Sequence, residues 1–164
     1  MRFGTTRMLA VALAAGSLIA VPLASASSAA VVPTTCAGAK TVNNLKAFIA
    51  TTTLSVCTNP AATGGKGVEV TNFKNLKKIT AKVTWNKTGT TLISLTEKAG
   101  TKAQIAACVK AVGKGASAVV SAGTVTGGTG AALKGIPKGS KFSETVCFNT
   151  KDVVTLFPKT KIVF

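Results

Sequence analysis

The sequence predicts an all-β protein, a β-sandwich or barrel-like antiparallel fold held by two disulfides and preceded by a signal peptide. Three observations carry this. Residues 79–85 and 142–148 alternate apolar and polar side chains with the period of two that a half-buried strand requires. Short β-branched runs are separated by turns rich in Gly, Pro and Asn, the pattern of sandwiches and barrels. Four cysteines, Cys36, Cys57, Cys108 and Cys147, follow an export leader, where they read as bridges.

The leader comes first. Arg2 and Arg7, the only arginines, precede an apolar run from residue 8 to residue 24. Ala24-Ser25-Ala26 then fits the small-x-small pattern of a signal peptidase site. Cleavage is expected after Ala26, with Ser28-Ala29-Ala30 as a nearby alternative. The competing reading is a membrane anchor. The run is at the short end of the roughly 17–25 residues a spanning helix needs, and Gly16 and Pro22 weaken it further. Pro33-Thr34-Thr35 before Cys36 is not a lipobox, and residues 159–164 form no hydrophobic tail. The expectation is a signal peptide over 1–26, a flexible lead-in over 27–35 and one disulfide-bonded β domain over 36–164. The product is secreted or cell-wall associated, with no transmembrane anchor after cleavage.

Four cysteines allow three pairings. Local pairing favours Cys36–Cys57 with Cys108–Cys147, because a long cysteine-free stretch separates the two pairs. Zinc is disfavoured, since the chain has no Cys-x-x-Cys and no histidine.

Charge is the strongest compositional signal. The chain carries +16, and still +14 without the two leader arginines. Such a surplus attracts polyanions. Outside a cell these are anionic cell-surface or extracellular polymers. Lysines on solvent faces also serve solubility and protect sheet edges. The lack of arginine in the domain disfavours bidentate reading of guanine, so no sequence-specific nucleic acid is expected.

Along the domain, residues 42–50 are open between a short helix capped by Thr41 and the strand that residues 51–57 suggest. Asn59-Pro60 and 63–67 make a long turn. Val68, Val70 and Asn72 lie on the opposite strand face from Glu69, Thr71 and Phe73. Residues 79–85, a turn at 86–89 and residues 90–97 form a hairpin. Residues 104–112 are open between helix and strand. Residues 116–126 read as strand, with a break at Ala122-Gly123, and 127–130 and 136–140 as turns. Phe142, Glu144, Val146 and Phe148 share one face of a further strand, and 153–157 and 161–164 close the chain.

These motifs carry a resemblance. Cys57-Thr58-Asn59-Pro60, Thr63-Gly64-Gly65, residues 79–88, Gly123-Thr124-Val125-Thr126-Gly127 and a closing cysteine strand resemble small secreted β-rich proteins of actinobacteria. The resemblance implies the fold and export. It implies no activity and no site residue.

Catalytic constellations are scarce. Without histidine, Ser-His-Asp and Cys-His catalysis are excluded within this chain. Thr63-Gly64-Gly65-Lys66-Gly67 is only a fragment of a phosphate loop. Glu69, Glu97, Glu144 and Asp152 are the acids of the domain. They are expected as exposed ion-pair partners of lysines, since glycoside chemistry would need two of them to converge. Trp85 is expected to close the core, with an exposed stacking platform as its alternative. Lysines interleave with aromatic and apolar residues at 73–78.

The expected protein is therefore a secreted, non-enzymatic domain without cofactor or metal. It binds anionic polymer or cell envelope through Lys74, Lys77, Lys78 and Lys82. The alternative is a protein–protein interaction module of inhibitor or effector type, with an apolar patch around Trp85.

Overall fold

A computed structural model of the protein describes residues 33–44, 46–149 and 154–164. The signal-peptide reading, most of the lead-in and Asp152 lie outside these residues.

Eight strands close into an antiparallel barrel: β1 (Thr35–Asn44), β2 (Ile49–Cys57), β3 (Gly67–Asn72), β4 (Ile79–Trp85), β5 (Gly89–Ala99), β6 (Ser117–Thr129), β7 (Lys141–Phe148) and β8 (Val154–Leu156). Each pairs with its neighbour in sequence, and β8 returns to β1 with Val154 opposite Thr41. A ninth strand, β9 (Ile162–Val163), pairs with Cys36 of β1 and Ser143 of β7. Two short strands therefore bridge β1 and β7. Of the two predicted architectures the barrel is the one formed, and closure leaves no long edge for lysines to protect.

The two ambiguous segments resolve by tertiary pairing. Residues 42–44 continue β1, a turn follows at 46–48, and β2 begins at Ile49. Thr41 caps no helix; its Oγ1 is hydrogen-bonded to Thr52 Oγ1 at 2.9 Å across the β1–β2 pair. Residues 102–112 form helix α2 (Lys102–Val112). Its start is a capping box: Gln104 N donates to Thr101 Oγ1 and Thr101 N donates to Gln104 Oε1. The break expected at Ala122-Gly123 and the turn expected at 127–130 are both corrected, because β6 runs unbroken to Thr129. Gly128 lies so close to Thr90 that a β-carbon would overlap its carbonyl oxygen. That close approach lets the strand continue, with the register shifting opposite Leu92 and Ile93. The lead-in also ends early, since Thr34 is buried and Thr35 already pairs in β1.

The disulfides are Cys36–Cys57 and Cys108–Cys147. The first joins directly opposed residues of β1 and β2. The second ties α2 to the outer face of β7, over a small cluster with Ala116 and Ala118.

The barrel has one closed end. Helix α1 (Pro60–Thr63), between β2 and β3, and helix α3 (Gly130–Gly135), between β6 and β7, plug it with Ala62 and Ala132. Above them Trp85, Phe142 and Phe164 pack edge-on and tilted, with ring centroids 5.1 and 5.5 Å apart along the chain of contacts. Leu54, Ile79, Val83 and Ile93 complete the core. Trp85 is 2% exposed, and its Nε1–H donates to Thr91 Oγ1 at 2.8 Å. It is a core residue, which overturns the stacking platform.

Truncating Phe142 to Ala should destabilise the domain by about 3–5 kcal/mol, as for a well-packed buried aromatic. Removing the outer bridge by Cys108→Ser with Cys147→Ser should cost less, roughly 2–4 kcal/mol. Denaturant unfolding measures both. Hydrogen exchange should then show residues 102–112 losing protection while β2–β5 keep theirs.

Candidate ligand site in the barrel lumen

The opposite end of the barrel is open. The turn at 46–48, the loop at 73–78 and the α2 connection surround it, since β1, β3, β5 and β7 all end there. Inside lies a cavity of about 260 Å3, lined by residues of β1, β2, β3, β5, β6, β7 and β8. Its inner wall is polar: Thr41, Thr52, Thr71, Ser121 and Glu144. Its outer wall is mostly apolar, with Phe73, Val119, Phe148 and Val154, and Glu97 stands at the mouth.

Strand register brings the acids here. Glu97 of β5, Ser121 of β6 and Glu144 of β7 are directly opposite one another across three strands, so they share the inner face. Glu69 of β3 points inward as well, and it is only 1% exposed. Exposure grades along the set: Glu69 is buried, Glu144 partly buried and Glu97 exposed. On β3 the apolar and polar faces are the reverse of the usual arrangement. Val68 and Val70 face solvent, while Glu69 and Thr71 are inside.

The carboxyls shape one another's protonation. Burial pushes Glu69 up; a hydrogen bond from Thr71 Oγ1 to its Oε1 at 2.8 Å opposes this, and the charge of Glu97 adds to it. Burial, then Glu69, raise Glu144 to about 8; Ser121 nearby opposes the rise and Glu97 adds to it. Partial burial raises Glu97. No lysine figures among these influences. The expectation of surface ion pairs is thus corrected for Glu69 and Glu144, because strand parity turns them into the barrel. Among the described residues, two buried side-chain atoms have no hydrogen bond of acceptable geometry: Glu69 Oε2 and Ser121 Oγ. Ser121 lies close enough to favour the ionised form of Glu144, but the contact does not satisfy its own hydroxyl. Among the described residues, no three acids or cysteines gather closely enough to hold a metal ion.

The lysines lie elsewhere. Every described lysine is exposed. Lys74, Lys77 and Lys78 occupy the loop beside the mouth, and Lys82 lies on the outer face of β4 opposite Leu92. Lys77 and Lys78 line a shallow outer groove of about 560 Å3 together with Lys141, whereas Lys74 and Lys82 do not. Lys141 opens β7 just after a turn, and nothing in its local sequence marks it. The lumen acids did carry a signal. Glu144 shares parity with Phe142 and Val146, and Glu97 with Ile93 and Leu95.

A glutamate whose folded pKa lies above its unfolded one is bound to its proton more tightly in the fold. The stabilisation is full below the ordinary value of 4.5 and is lost as pH rises through the folded value, about 8 for Glu144. Glu69 acts in the same direction. Thermal midpoints should therefore be higher at pH 5 than at pH 8.5. Glu69→Gln and Glu144→Gln should each raise the midpoint at pH 8.5 and change it little at pH 5. An unfolding series by circular dichroism across this range reads both effects.

No family model, no characterised protein and no solved structure matches the chain, so what the lumen does is argued from its geometry alone.

Proposed function

We propose that the protein is an exported, non-enzymatic binding barrel that takes a small molecule into its lumen. The observation that carries this reading is the unsatisfied buried Ser121 Oγ in the wall of an open cavity, with a second unsatisfied atom, Glu69 Oε2, on the buried residue that the lining Thr71 hydrogen-bonds. A buried polar group left unpaired costs about 1–3 kcal/mol, which a ligand that satisfies it recovers. The cavity of about 260 Å3 is smaller than the roughly 300–1,000 Å3 that drug-sized ligands occupy, so the ligand is small. Export is supported by the leader and by the two disulfides, which persist in oxidising compartments.

Amide chemical shifts of the isotope-labelled protein, recorded against a panel of small polar compounds, test this reading. Shifts should concentrate on Thr52, Thr71, Ser121 and Glu144. A panel that moves only outer-face amides would remove the lumen from consideration.

The groove of Lys77, Lys78 and Lys141 favours a second role, contact with an anionic cell-surface polymer. Retention on an immobilised polyanion should fall steeply with ionic strength. The triple change Lys77→Gln, Lys78→Gln and Lys141→Gln should shift elution to lower salt than a matched triple at Lys40, Lys87 and Lys134. Equal shifts would mean that total charge, and not this groove, makes the contact.

A further inference from the structure

We propose that the lumen is a site for a small aliphatic diamine or polyamine, whose ammonium groups are taken up by Glu144 and Glu97, with Ser121 Oγ as an added acceptor and the buried Glu69 beneath the lining Thr71 adding to the acidic character of the wall. The proposal rests on the lumen-binding reading and names its ligand class.

Sign comes first. The ionisable groups that turn into the lumen are carboxyls, while every described lysine points to solvent. The unpartnered atoms then specify hydrogen-bonding character. Ser121 Oγ lines the cavity unpaired at 1% exposure, while the lining Thr71 hydrogen-bonds Oε1 of the buried Glu69 behind it. An ammonium group offers three donors and no acceptor, so it can satisfy carboxylate and hydroxyl oxygens together.

Shape separates an organic cation from a metal ion. Among the described residues, the acids do not gather tightly enough for a metal. They are staggered from the buried Glu69 through the partly buried Glu144 to Glu97 at the mouth. A compact ion meets only one of them well, whereas a narrow chain with charges at both ends meets several. Ala50, Val119 and Val146 line the wall and suit a methylene spacer. Lysines around the mouth repel a cation, but over distances beyond roughly 8 Å physiological salt screens them. The ligand inside meets chiefly the carboxyls.

Glu144, whose carboxyl is raised to about 8, must lose its proton when an ammonium pairs with it. Uptake of the diamine therefore releases protons to solvent, and its affinity rises with pH between the ordinary glutamate range and the raised value of Glu144.

Isothermal titration calorimetry of the full protein at pH 8 tests the proposal with 1,4-diaminobutane and spermidine, and with 1-aminobutane and 1,4-butanediol as controls. The diamine should bind saturably and the monoamine at least about tenfold more weakly, as expected for loss of one charged hydrogen bond. The diol should give no heat. Measured heats should change with the ionisation enthalpy of the buffer. Glu144→Gln and Glu97→Gln should each weaken the diamine about tenfold or more; Gln mimics the neutral acid, and circular dichroism checks the fold. Equal affinity for monoamine and diamine would overturn the proposal, as would diamine binding that both variants leave intact. If the diol or another neutral compound shifts lumen amides and the amines do not, the lumen reading stands and the amine falls. If no compound shifts them, both fall.

Discussion

Closure of the barrel is the constraint on which the rest depends. Seven long or medium strands run as a meander, and the ladder is completed only because β8 and β9 fill the gap between β1 and β7 from opposite ends. The Cys36–Cys57 bridge fixes β1 against β2 at the end where β9 docks. Phe164, just after β9, packs between Trp85 and Phe142 and anchors the last segment into the core. A closed ladder pairs backbone donors and acceptors that an open sheet would leave at its edges. It also gives every strand an inside and an outside, with no residue able to change sides without moving the whole register.

That division assigns the chain's charges. Towards the plugged end the inside holds aliphatic and aromatic side chains, as small barrels do. Towards the open end the inside changes to hydroxyls and carboxyls. Such a lining is costly in a structure whose stability is a small difference between large terms. The hydroxyl contacts Thr41–Thr52 and Thr71–Glu69 relieve part of the cost, while Glu69 Oε2 and Ser121 Oγ are left unrelieved. Local rule-breaking of this kind is expected where function, and not folding, selects the residue.

The strands themselves were legible because their alternation is local. Residues 79–85 and 142–148 carry the period of two on their face, and the favoured cysteine pairing follows from chain separation. Helix α2 was not legible from its small residues, although Thr101 and Gln104 carry a capping-box pattern. The direction of β3 was also hidden. Val68 and Val70 look like the core face, and only the pairing of Glu69 with Thr52 and Val83 turns the acid inward. The site stayed out of reach for a related reason. Its residues come from seven strands, so no spacing along the chain brings Glu69, Glu97, Ser121 and Glu144 together. A carboxylate among many lysines has an obvious surface role, and it takes the parity of Glu144 with Phe142 to argue otherwise.

Inside and outside are thus electrostatically opposite. The inside is set by its carboxyls: with Glu144 raised to about 8, the lumen at neutral pH already holds the smallest available cation, the proton, on that residue. Any larger cation must compete with it. Displacing the proton costs about 1.4 kcal/mol for each unit by which the carboxyl's pKa exceeds the ambient pH. An ion that replaces one proton with one equivalent contact therefore gains little. Net affinity has to come from what a proton cannot supply: a contact to Ser121 Oγ, a second charge at another depth, and apolar surface removed from water along the wall. On the proposed amine-binding reading, the raised Glu144 sets that threshold, since a cation lacking those features merely exchanges places with a proton.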